Sequence, residues 1–152
     1  MHKVRDLADI GNQLRDTLIT AMQSYNKTAI LNGYSLGFST KINDSVNASW
    51  ITTITTEDIG NNNILRFESK LGISVHQSAG GDVASKVQEI DVYGVSGGFV
   101  YDALNATISF RSNMYLVDTV ITPDDIVRHI NYHQNTILEF WEVLESRANG
   151  GF

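Results

Sequence analysis

Apolar positions along the chain recur with two different periods, and the switches between them mark its elements. Val4, Leu7, Gly11, Leu14, Leu18, Ala21 and Tyr25 fall three and four apart, which predicts an N-terminal helix ending at "YNKT". In "GYSLGFSTKI" the period becomes two. Tyr34, Leu36, Phe38 and Ile42 share one parity, while Ser35, Gly37, Ser39 and Lys41 take the other, as in a half-buried strand. "ASWITTITTED" is rich in the Thr and Ile that strands prefer, with Trp50 and Ile54 on one face. "ILRFESKLGISV" sets Leu65, Phe67, Leu71, Ile73 and Val75 against Arg66, Glu68 and Lys70. All five apolar residues should point inward, because a register slip of one residue would expose every one of them.

Past Gly80 and Gly81, Val83, Val87 and Ile90 are spaced i, i+4, i+7 behind Asp82, which predicts a short capped helix, although "EIDVYGV" also reads as a strand. "GGFVYDALNATISFRSNMYLVD" reads as a hairpin with Ile108, Phe110, Met114 and Leu116 inward. The last element is a helix. Thr122 caps it, Pro123 suits its first turn, and Asp125 completes a capping box. At about 100° per residue, Ile126, Ile130, Ile137, Trp141 and Leu144 form a stripe roughly 60° wide, with His133 beside Phe140 at its edge, His129 further round and Asp125 about 120° from its centre. The order is helix, three strands, helix, two strands, helix. It describes a single α+β domain over residues 1–152, an antiparallel sheet of about five strands with helices packed on it.

A chain of 152 residues with 42% apolar content can bury a core of its own. Seventeen acidic against eleven basic residues give a net charge of -6, which argues against nucleic acid or an anionic membrane as partner and favours a protein or peptide. There is no Cys, so there is no thiolate nucleophile and no sulfur-bound metal, and the composition suits a reducing cytoplasm. "MHKVRDLADIGNQL" lacks the apolar core of a signal peptide, and no run approaches the ~18 apolar residues of a membrane span, so the expected location is cytoplasmic.

Candidate chemistry is sparse. Asp125, His129 and His133 stand four apart, a spacing that would stack them on one helix face as metal ligands. Ile130, however, occupies the place of the Glu that follows the first His in zincins, and His2 and His76 are the only other histidines. The row reads first as part of a packing helix with histidines at the core's edge. Metal or small-molecule binding stays open as the alternative, and no cofactor is expected. "GVSGGF" lacks the spacing of a nucleophile elbow and the Lys of a phosphate loop. On the second strand, Trp50, Thr52 and Ile54 form a face that could receive a partner strand or peptide, or pack beneath the N-terminal helix. The Val83, Val87 and Ile90 seam could pack on the sheet or face a twin subunit, and is taken here as a dimer interface.

The last third, "GGFVYDALNATISFRSNMYLVDTVITPDDIVRHI", resembles the strand, turn, strand and threonine-capped helix of the YbjN-like family and of the related type III secretion chaperone fold. The element order extends the resemblance over most of the chain, with two departures: the Asn-rich and Thr-rich second strand, and a long segment around "HQSAGG". The resemblance implies a small acidic homodimer that holds extended client segments by apolar patches and strand addition. The expected function is therefore a non-enzymatic client-holding chaperone or regulatory adaptor. A structural subunit of a larger assembly is a further alternative.

Overall fold

Long runs of alternating residues rich in Thr, Ile and aromatics build one antiparallel sheet, and the two amphipathic segments that follow cover a single face of it. The computed structural model describes residues 20, 30–32, 35–43, 46–59, 62–92, 97–115 and 122–150. Its strands are β1 (Ile30–Asn32), β2 (Ser35–Asn43), β3 (Asn47–Ile59), β4 (Asn62–Leu71), β5 (Gly98–Asp102) and β6 (Thr107–Tyr115). The helices are α1 (Gly80–Val92) and α2 (Pro123–Ala148). The strands lie in the order β1-β2-β3-β4-β6-β5, with α1 carrying the chain from β4 to β5 at the edge. The fold is thus α+β, as the periodicity predicts. The sheet gains a three-residue edge strand, β1, which pairs Ile30 with Gly37 and is too short to show a period of its own. The expected N-terminal helix lies outside the described residues, Thr20 excepted, and so does Leu116.

Register places Trp50 opposite Leu71, Thr52 opposite Ser69 and Ile54 opposite Phe67. Leu65, Phe67, Leu71 and Ile73 are buried as expected, and Val75 packs partly buried against the same core. The strand itself stops at Leu71, so Ile73 and Val75 reach the core from the segment that leads to α1. That segment is tied down where His76 N donates to Ala148 O at the end of α2 (2.7 Å).

The region from Gly80 to Val92 is helix, which resolves the "EIDVYGV" ambiguity up to Val92. Val83, Val87 and Ile90 are buried against Trp50, Phe99, Phe110 and Trp141 of the same chain. This corrects the dimer-interface assignment: the seam is covered by the chain's own core and offers almost no apolar area to a second copy. Gly97 joins the loop after α1 to β5 with φ of 125°, and a Cβ there would stand 2.7 Å from Arg111 O. Only glycine fits both demands.

α2 begins with the capping box read from its sequence. Asp125 N donates to Thr122 Oγ1 (3.2 Å), and Thr122 N donates to Asp125 Oδ2 (3.0 Å). The helix packs along the inner face of the sheet. Its first half sets Ile126 and Ile130 among Phe38, Ile54, Leu65 and Phe67. Its second half sets Ile137, Trp141, Leu144 and Ala148 among Ala48, Trp50 and Leu71. These are two separate apolar clusters, and the helix bridges them at His133.

Candidate functional site

The boundary between the two clusters is polar because one inward position on each central strand carries a hydroxyl. Thr52 on β3, Ser69 on β4 and Ser112 on β6 are all buried and face α2. His133 fits above them, 2% exposed, at the seam position between Ile130 and Ile137. Its Nε2 lies 2.6 Å from Ser69 Oγ and its Nδ1 lies 2.7 Å from Ser112 Oγ. Ser69 Oγ is 2.7 Å from Thr52 Oγ1, and Ser112 Oγ is 2.8 Å from His129 Nε2. Five side chains from four elements therefore make one continuous hydrogen-bonded chain through the core. Aromatic rings seal it: Phe67 lies 4.4 Å from the His129 ring and Phe110 lies 4.7 Å from the His133 ring, between centroids.

Each hydroxyl gives one hydrogen, and each neutral imidazole has one N–H and one lone pair. One running order satisfies every group: Thr52 donates to Ser69, Ser69 to His133 Nε2, His133 Nδ1–H to Ser112, and Ser112 to His129. The reverse order works equally, with the opposite tautomers. A proton added to His133 would also be accommodated, its two N–H groups donating to Ser69 and Ser112. A second proton on His129 would aim two N–H donors at the single Ser112 oxygen. The surroundings nevertheless oppose any charge. Burial pushes His133 down to about 3, with the neighbouring His129 adding to the effect, and burial pushes His129 down to about 4.

The predicted row of Asp125, His129 and His133 is not assembled as a ligand set. The Asp125 carboxylate closes the cap and accepts from Arg128 Nη2 (3.0 Å), one reason its pKa sits below the ordinary value, after the hydrogen bonds from Thr122. Both nitrogens of His133 already face hydroxyls. Among the described residues, no group of three metal-ligating side chains converges. His133 also sits deeper than the edge of the core, whereas His129 stays partly exposed at that edge, as read from the sequence. The wheel put His133 beside Phe140, but the serines opposite let it enter the seam itself. Ser69 and Ser112 were missed because Ser at an inward strand position is unremarkable unless a polar side chain across the gap is known.

Trp50, Thr52 and Ile54, expected as a partner-binding face, are buried beneath α2, with the Trp50 and Trp141 ring centroids 6.2 Å apart. This corrects that assignment, since β3 presents its other parity to the outside. There Ile51 is 60% exposed, between Ser39 on β2 and Lys70 on β4, with Lys41, Ser49 and Thr53 also exposed around it. Tyr115 on β6 is exposed on the same outer face. No helix among the described residues is long and apolar enough to cross a membrane.

Comparison with known proteins finds no family model, no curated protein and no solved structure that matches the chain.

Proposed function

We propose that the chain is a cytoplasmic, non-enzymatic protein-binding domain, a client holder or regulatory adaptor, and that it meets its partner through the outer sheet face around Ile51. The observation that carries this reading is the division of the sheet. Its inner face is filled by α1, α2 and the hydroxyl–imidazole chain, whereas its outer face leaves Ile51 60% exposed among small hydroxyl side chains. An apolar centre with a polar rim is the layout of a protein contact. Ser69, Ser112 and His133, by contrast, are buried, and His129 beside them is partly exposed. Cys-free composition suits a reducing compartment.

The test is photo-crosslinking in the native host, with a crosslinking residue placed at position 51 and, as control, at Ala84 on the exposed side of α1. A discrete protein adduct at 51, absent at 84 and lost when a neighbouring Thr53→Asp change is added, is the expected result. Equal labelling at both positions, or none at 51, would remove the reading.

A further inference from the structure

Among the described residues, charges are distributed unevenly between the sheet and the helices. Although the net charge is -6, the outer sheet face carries Lys41, Arg66, Lys70 and Arg111. Its acids whose side chains are described are Glu68 and Asp102, and both are engaged within the chain. Glu68 Oε2 accepts from Arg111 Nε (2.6 Å). The Asp102 carboxylate accepts from Leu104 N (3.0 Å), Asn105 N (3.3 Å) and Asn105 Nδ2 (2.7 Å) in the β5–β6 turn. Lys41 and Lys70 are exposed on either side of Ile51 and make no ion pair among the described residues.

The opposite side of the molecule has the opposite sign. Glu139, Glu142 and Glu145 are exposed within two turns of α2, with Arg147 the exposed base that follows them, and none of the three acids makes an ion pair among the described residues. The basic face is the back of the sheet, and the acidic ridge is the back of the helix layer. Lys41 and Lys70 flank Ile51 on the sheet face, Lys70 also acting on the Asp102 carboxylate, while the ridge presents three carboxylates.

We infer that the outer sheet face docks the α2 ridge of a second copy of this chain, with Lys41 and Lys70 meeting Glu139, Glu142 and Glu145. This rests on the reading of the outer face as a docking surface. Because the two patches lie on opposite sides of the described sheet and helices, the contact is heterologous, and it builds open-ended stacks rather than a two-fold dimer. The patches are polar, so the contact is weak and is governed by salt. Stacking also covers the face proposed for a foreign partner, so the two forms of binding exclude one another.

Sedimentation tests the inference with two charge-reversal variants checked for native circular dichroism. K41E/K70E spoils the sheet face alone, and E139K/E142K/E145K spoils the ridge alone. At about 10 mM salt, where charges act over ~30 Å, wild-type protein should sediment as species well above 16.8 kDa, and at about 300 mM salt it should return to the monomer. Each variant alone should stay monomeric at low salt. Mixed, they should assemble again, since the intact ridge of the first fits the intact face of the second and the reversed face of the first fits the reversed ridge of the second. A monomeric wild type at low salt overturns the inference, as does either variant that assembles like wild type. If copies stay monomeric while position 51 still captures a foreign protein, stacking falls and the binding reading stands. If position 51 captures nothing as well, the outer face is no docking surface at all.

Discussion

Ser112 on β6 and His133 on α2 meet through a 2.7 Å hydrogen bond, and the same serine oxygen lies 2.8 Å from His129. One hydroxyl therefore serves a buried imidazole and a partly exposed one. Ser112→Ala would leave His133 Nδ1 and His129 Nε2 facing a methyl group, and an unpaired buried polar atom costs roughly 1–3 kcal/mol. The expected loss in urea unfolding lies in that range. Ser109→Ala, three residues away on the other face, should change stability by less than about 0.5 kcal/mol. Equal effects at the two positions would show that the hydrogen-bonded chain contributes nothing to stability.

The same chain makes stability depend on pH in a defined direction. Burial holds His133 at about 3 and His129 at about 4, both below the ordinary 6.5 that each regains on unfolding. As pH falls through 6.5 the unfolded chain takes up protons that the folded chain does not, so stability is complete above that pH and declines towards the folded values. The slope should approach ~1.4 kcal/mol per pH unit for His133 and stay smaller for the partly exposed, solvent-screened His129. Asp102 and Asp125 are lowered from 3.8 mainly by hydrogen bonds from Asn105 and Thr122, and they weaken the fold only in a more acidic range. Unfolding measured at steps from about pH 7.5 to 5 isolates the histidines. His133→Gln should flatten the dependence, and an unchanged slope in that variant would assign it to other groups.

Val87 tests where the α1 seam belongs. It is 7% exposed and packs with Val83 and Ile90 into the cluster that contains Trp50 and Trp141. Val87→Asp would bury a carboxylate without a partner, and the expected result is loss of cooperative unfolding or a destabilisation of several kcal/mol. A variant that folds normally and differs only in oligomeric state would instead restore the seam to a subunit interface.

Element type was legible wherever period and capping agreed. The run from Leu65 to Leu71 and the box formed by Thr122 and Asp125 each determine their structure locally, through alternation in one case and paired caps in the other. What periodicity does not convey is which face of a strand is covered. Trp50 and Ile54 mark the buried side of β3 correctly, yet their identity as a partner surface required that side to be open, and the placement of α2 decides this. The candidate site is less legible still. His129 and His133 share a helix face in the sequence, but Ser69 and Ser112 are 64 and 21 residues from His133, and only the β4–β6 pairing brings the two serines beneath it.

Trp141 offers the sharpest measure of the core. It is 1% exposed and lies 6.2 Å from Trp50 between ring centroids, at the point where α2 crosses β3. Trp141→Ala would open a large cavity between α2 and the sheet, and the expected loss is roughly 3–5 kcal/mol. Size, and not polarity, should dominate, because Trp141 Nε1 has no hydrogen-bond partner among the described residues. Trp141→Phe therefore removes no bond and leaves a smaller void, so its loss should be well under half that of the alanine variant. Chemical denaturation followed by circular dichroism measures both without relying on the altered fluorophore. If the Phe variant were as unstable as the Ala variant, the indole N–H would have to be satisfied in solution, and polarity rather than size would govern this position.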